Sequence, residues 1–86
     1  MLDACYYSLI ERTDDGRFIG WVPDLPGATA IGRTEDEVVH QLTRSMRQHL
    51  HDLLMSGQQP PPARPAEQLP SSEGRQEVRR LLLIIG

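Results

Sequence analysis

The chain has few of the residue types that stabilise small domains by covalent or aromatic means. Its 86 residues include one cysteine, Cys5, which excludes an intramolecular disulfide and a zinc site built from cysteines. The aromatic residues are one tryptophan, two tyrosines and one phenylalanine, and hydrophobic residues make up 38% of the chain. We therefore expect one small domain with a modest core, for which oligomerisation is a reasonable expectation.

Long apolar runs and targeting signals are also missing. The longest apolar run covers residues 81–85, far short of the roughly 20 residues that a membrane span needs. The first residues do not combine a basic segment with an apolar one, so no signal peptide is predicted. We expect a cytoplasmic protein with no membrane association.

Lysine is absent, and the nine basic residues are all arginines in a chain of net charge −3. A mildly acidic domain is a poor sequence-independent nucleic-acid binder, because that mode of binding depends on neutralising phosphates. The charge suits a partner that is itself basic, such as an RNA-binding protein.

The most informative stretch is the pentapeptide PDLPG at residues 23–27. Its prolines fix φ and its glycine permits φ > 0, so the segment forms a rigid turn. A leucine held in such a turn either plugs the core or anchors a partner, and a tryptophan beside it is a good interface anchor. The alternative role for Trp21 is to cover one side of the sheet. We predict partner binding by Trp21, Asp24 and Leu25.

Alternation and turn residues predict strands over residues 4–12, 17–22 and 28–32, the first two joined by the turn Thr13-Asp14-Asp15-Gly16. Gly20 within the second strand suggests a bulge or a close approach by another element. The first strand carries apolar groups on both faces, which is typical of a central strand.

A long amphipathic helix is predicted over residues 35–56. Thr34 is a favourable N-cap, and Glu37 three residues later completes a capping box. The apolar positions recur at steps of three and four and define one stripe: Val38, Val39, Leu42, Met46, Leu50, Leu53 and Leu54.

The segment 57–76 holds five of the seven prolines and is predicted to be an extended connection without helix or strand. Residues 78–85 follow as a strongly apolar segment, which fits a strand buried on both faces or a short helix. The two isoleucines and the length favour the strand.

The order of strand, D-G turn, aromatic strand, PDLPG, short strand and G-x-T-x-x-E helix resembles the HicB-like antitoxin family over roughly residues 5–62. The resemblance also favours a closing C-terminal strand. With the pattern above, it predicts an α+β domain over residues 1–86 of order β-β-β-α-β. An antiparallel meander carries one long helix on one face, with the last strand beside the first.

The resemblance implies an antitoxin that binds and occludes a small HicA-like, RNA-cleaving toxin, with no catalysis or cofactor of its own. Such domains are similar to a partial RNase H fold, so a metal-dependent nuclease is the alternative. We disfavour it because residues 6–10 carry no acid and the other carboxylates lie in turns or at the helix start. An orphan structural or oligomerising domain with another partner is a further alternative.

Several other patterns are interpreted as structural. The exposed helix face formed by His40, Arg44, Arg47 and His51 could bind RNA or an acidic partner, but a solvated face is the simpler interpretation. His49 and His51 point to different sides of a helix, which argues against a metal site. Cys5 is interpreted as a buried packing residue.

Two expectations concern assembly. Residues 78–85 would promote aggregation if left uncovered at a sheet edge, so we expect a homodimer or tetramer with this strand at or near the interface. The family's additional DNA-binding domain would have to follow Gly86, where the chain ends. We therefore expect no direct DNA binding.

Overall fold

The computed structural model describes residues 4–69 and 76–85, and within them five segments match the predicted strands and helix closely. The strands are β1 (Ala4–Arg12), β2 (Phe18–Trp21), β3 (Thr29–Gly32) and β4 (Gln76–Ile85), and the helix α1 is Glu35–Met55. The prediction of an unstructured connection was wrong at one point, because Ala66–Gln68 form a short 3₁₀-helix. The part of that connection at 70–75 lies outside the described residues.

The four strands form one antiparallel sheet in the order β3-β2-β1-β4. This order confirms the α+β prediction and the position of the last strand beside the first. The pairing of β1 with β4 runs from Ala4 opposite Ile85 to Arg12 opposite Gln76. Its register shifts between Ile10 and Glu11, which marks a bulge in this ladder rather than at Gly20.

Helix α1 begins and ends where its capping residues predict. The Thr34 hydroxyl accepts a hydrogen bond from the Glu37 backbone N–H at 3.1 Å, which forms one half of the expected capping box. At the other end, Gly57 donates to the Leu54 carbonyl and Gln58 donates to that of Leu53. This pair of bonds is the Schellman arrangement, which satisfies carbonyls that the helix leaves open.

The helix covers one face of the sheet and supplies much of the core. Four residues of the predicted stripe are buried: Val38, Leu42, Met46 and Leu50. Leu54, also assigned to the stripe, is exposed, because it lies at the last turn, where the helix runs past the core. Gly20 allows the close approach, since a Cβ atom there would lie 2.6 Å from Val38 Cγ1 and 3.0 Å from Leu42 Cδ2.

The opposite face of the sheet contains a second buried region. Leu9 and Glu11 are fully buried, and alternation along β1 places them on the face away from Ile10 and the helix. The edges of this face are open, with Ile31 on β3 and Ile84 on β4 both exposed. Cys5, on the same side of β1, is exposed as well, so its interpretation as a buried packing residue was wrong.

No helix in the described part of the chain is long and apolar enough to cross a membrane.

Candidate partner-binding site

The PDLPG segment forms a compact turn closed by three backbone hydrogen bonds. Leu25 donates to the Val22 carbonyl at 3.0 Å, and Ala28 donates to that of Leu25 at 3.1 Å. Val22 in turn donates to the Ala28 carbonyl at 3.1 Å. The turn therefore joins β2 to β3 as a fixed unit, with the Leu25 side chain fully buried in the core.

Gly27 is favoured by its backbone conformation and lies close to the helix. Its φ is 101°, a value that residues with a side chain rarely adopt. A Cβ atom at this position would lie 2.9 Å from Cε1 of His49 on the helix. The turn and the helix are thus in direct contact, which fixes the turn relative to the core.

Asp24 binds the proline-rich segment through both oxygens of its carboxylate. One oxygen accepts from the backbone N–H of Arg64 at 2.7 Å, and the other accepts from its Nε at 2.5 Å. Only 9% of the Asp24 side chain is exposed, against 43% of the Arg64 side chain. The two-point contact holds the segment against the turn across 40 positions of sequence.

A second contact ties the same segment to the sheet. The Tyr6 hydroxyl donates to the carbonyl of Pro61 at 2.5 Å. Burial raises the pKa of the Tyr6 phenol, and the nearby ionisable groups of Asp24 and Cys5 act in the same direction. Tyr6 therefore keeps its proton, which the bond to Pro61 requires, to a higher pH than an exposed tyrosine does.

Trp21 lies on the sheet face away from the helix and is half-buried. Its indole N–H donates to Oε1 of Glu11 at 2.9 Å. The bond runs diagonally across the ladder, because Trp21 pairs with Leu9 and Ile19 pairs with Glu11. The buried carboxylate thus orients the tryptophan on this face.

The three predicted binding residues do not form one cluster. Leu25 belongs to the core between sheet and helix, which matches the plug interpretation of its side chain. Trp21 lies on the opposite face, and Asp24 is engaged by Arg64 at the turn. Partner binding by these residues stays a prediction, with Trp21 and the Asp24 carboxylate as the groups nearest to the surface.

Two residues of this region were missed at the sequence level. Arg64 is the one charged residue between Gly57 and Pro65, and its isolation in a proline-rich stretch was a usable signal for an anchoring contact. Glu11 continues the alternating series of Cys5, Tyr7 and Leu9, which could have placed it on the buried face. The charge of Glu11 by itself predicts an exposed position, because burying an unpaired carboxylate costs free energy.

The carboxylates of the described residues are dispersed. Asp24 binds Arg64, Glu11 accepts from Trp21, and Asp15 accepts from Thr13 in the first hairpin. Within residues 4–69 and 76–85, no group of three or more histidine, cysteine, aspartate or glutamate side chains could hold a metal ion.

The outer face of the helix carries the predicted basic strip, with His40, Arg44, Arg47 and His51 all exposed. A shallow cleft on this face is lined by Gln48 together with three residues of the strip. His49 points elsewhere, toward Gly27. The strip is therefore separate from the turn and from the Trp21 face.

Comparison with known proteins assigns the chain to a family. The model of the HicB_like antitoxin of bacterial toxin-antitoxin systems matches residues 6–85. The chain belongs to this family. Among solved structures, the fold is similar to the N-terminal domain of the Burkholderia pseudomallei antitoxin HicB, with a TM-score of 0.73 and 18% identity over 96% of each chain. The comparison with curated proteins finds no match.

Proposed function

We propose that this HicB-like protein neutralises a small HicA-like, RNA-cleaving toxin by binding it and occluding its active site. The observation that carries the proposal is the family match over nearly the whole chain, residues 6–85. The net charge of −3 supports it, because a toxin that binds RNA presents a basic surface to an acidic partner. The chain acts in the cytoplasm in this proposal, where such a toxin meets RNA.

The contact that we propose involves Trp21, Asp24 and Leu25, with Trp21 and Asp24 as two separate contact points and Leu25 buried beneath the turn. Asp24 already binds Arg64 at two points, and it accepts one hydrogen bond from the backbone N–H and one from the guanidinium Nε. An arginine of a basic toxin offers the same group, and such charged bonds combine strength with geometric selectivity. The half-buried indole of Trp21 contributes apolar area, while the buried Leu25 holds the shape of the turn.

Binding to a toxin can be tested with a matched pair of variants. Asp24→Ala removes the carboxylate, whereas Arg64→Ala leaves it in place and frees only the oxygen that accepts from the guanidinium Nε, because the bond from the backbone N–H of residue 64 remains. With a HicA-like toxin from the same genome, we expect co-elution for the wild type, weaker binding for Asp24→Ala and equal or tighter binding for Arg64→Ala. Co-expression should restore growth in the same order.

Trp21→Ala gives an independent readout, with Met55→Ala as a control because Met55 is exposed at the end of the helix. If the Trp21→Ala protein folds and binds the toxin with unchanged affinity, the role of Trp21 is structural. If the wild type binds no such toxin, the specific pairing fails, and the orphan alternative with another partner takes its place.

We further propose that the protein acts by binding alone, without catalysis, cofactor or direct DNA contact. The dispersed carboxylates support this, since two-metal nucleases need several of them converging on one site. Purified protein with magnesium or manganese is expected to leave single-stranded RNA, duplex RNA and an RNA–DNA hybrid intact. Metal-dependent cleavage that is lost in Glu11→Gln or Asp24→Asn would establish the nuclease alternative.

We also propose that the chain self-associates into a homodimer or a tetramer. The exposed apolar residues of β4 support it, since an open apolar strand is a site of association. Light scattering should give at least twice the monomer mass of 9.7 kDa.

A further inference from the structure

Strand β4 is the longest strand and lies at one edge of the sheet. Nine of its ten residues pair with β1 on one side, and Val78 is the extra residue at the register shift. On the other side, no strand of the described chain pairs with it. Its outward backbone groups are therefore arranged to bind a further strand.

The C-terminal half of β4 lacks the features that protect an edge strand. Residues 81–85 contain no charge and no proline, the usual devices against edge pairing. Leu81 and Leu83 pack toward the helix side. Leu82 and Ile84 alternate to the other face, where they are 42% and 71% exposed.

The charges near this segment are already engaged within the chain. Arg79 Nε lies 3.7 Å from a carboxylate oxygen of Glu35 on the helix. Arg80 Nε lies 3.1 Å from the carboxylate of Glu77. Both pairs involve arginines of the N-terminal half of β4, so the half that carries Leu82 and Ile84 has no charge of its own.

The opposite edge of the sheet differs. Strand β3 has only four residues and is followed by Arg33 and the capped start of the helix. Its one exposed large apolar residue is Ile31, at 50%. A short edge strand offers few backbone groups to a partner, so the two edges are unequal.

We propose that the outer edge of residues 81–85 pairs antiparallel with the same segment of a second copy of this chain, which joins two sheets into one of eight strands. The charges near this edge indicate which partner binds it. A basic toxin would meet no carboxylate along this segment and two arginines beside it, whereas a second copy matches it with an equally uncharged, apolar strand.

The two-fold relation fixes the geometry of the pair. Antiparallel pairing of identical edges requires an axis perpendicular to the sheet, so both helices lie on the same face of the joined sheet. With the axis at Leu83, Leu82 of each copy lies opposite Ile84 of the other, and the two side chains cover part of each other's exposed surface. This register also leaves Arg79 and Arg80 outside the paired segment, which keeps like charges apart.

This inference rests on the self-association part of the proposed function and adds its site. Light scattering on the full chain tests both. The double variant Leu82→Lys/Ile84→Lys places two charges on the proposed junction at positions that are exposed in the single chain. Its matched control, Ile31→Lys, changes a similarly exposed residue of the same face at the other edge.

We expect a dimer for the wild type and Ile31→Lys, and a folded monomer for the double variant, with circular dichroism to confirm folding. A monomeric wild type would remove self-association altogether. A double variant that remains dimeric would overturn the edge proposal and leave self-association standing. Loss of the dimer in Ile31→Lys alone would move the interface to the β3 edge.

Cysteine cross-linking gives a second measurement that does not depend on weakening the dimer. In a Cys5→Ser background, chains with Leu82→Cys are mixed with chains with Ile84→Cys and oxidised. Opposed strand residues lie close enough for a disulfide after small adjustments. We expect the mixture to cross-link far more than either variant alone and more than an Ile31→Cys sample. Absence of that difference would overturn the register.

Discussion

The two faces of the sheet are stabilised in different ways. On the helix side, apolar side chains from the sheet, the turn and the helix are fully buried together, and Gly20 lets the helix approach closely. On the other side, burial is confined to the centre, around Leu9 and a carboxylate that holds Trp21, while apolar side chains at both edges stay exposed. The first face is buried within one chain, and the second is only partly covered.

The largest expected effect comes from the helix side. Leu42→Ala and Leu50→Ala remove fully buried side chains of the core, and each is expected to lower the free energy of unfolding by about 2–5 kcal/mol, because the lost burial is compounded by a cavity. Urea unfolding followed by circular dichroism measures the change. Protein concentration must be fixed, because self-association shifts apparent stability.

Met55→Ala is the control for these variants, since Met55 is exposed at the end of the same helix and its truncation should have little effect. If the leucine variants behave like Met55→Ala, the helix does not supply the core.

A smaller effect is expected on the opposite face. Glu11→Leu removes the acceptor of the Trp21 indole N–H, and a half-buried donor without its partner costs about 1–3 kcal/mol. Glu11→Gln keeps an acceptor oxygen and should cost less. The Trp21 fluorescence spectrum should change more in Glu11→Leu than in Glu11→Gln. Equal stability of Glu11→Leu and the wild type would show that packing alone holds this face.

The two faces also differ in how far the sequence predicts them. The helix side follows from local signals: Thr34 as a cap, the stripe from Val38 to Leu50, and a glycine at position 20 that indicates a close approach. The turn residues also indicated a rigid PDLPG segment, and its leucine proved to be the plug over the core. These features depend on residues close in sequence or on one periodicity.

The bonds that position the candidate site depend on distant residues, and no local pattern identifies both partners of a bond. Asp24 meets Arg64 across 40 positions and Tyr6 meets Pro61 across 55. Both partners lie in a segment whose proline content indicated only an extended connection. Glu11 was equally hard to place, because its charge predicts exposure while its position in the alternation predicts burial.

The smallest effect concerns the contact that ties the proline-rich segment to the helix side, and it depends on pH. Tyr6→Phe removes the bond to the Pro61 carbonyl and is expected to lower the free energy of unfolding by about 1 kcal/mol at neutral pH.

Burial, with Asp24 and Cys5 nearby, raises the pKa of Tyr6 in the folded chain above its ordinary value of 10.0. The unfolded chain therefore loses this proton first as the pH rises. The stabilising contribution of Tyr6 is present below pH 10 and is lost as the pH rises from there through the folded-state pKa. Urea unfolding between neutral and strongly alkaline pH should thus bring the wild type and Tyr6→Phe closer together in stability. A gap between the two that stays constant over this range would show that the phenol does not titrate differently in the folded and unfolded chains.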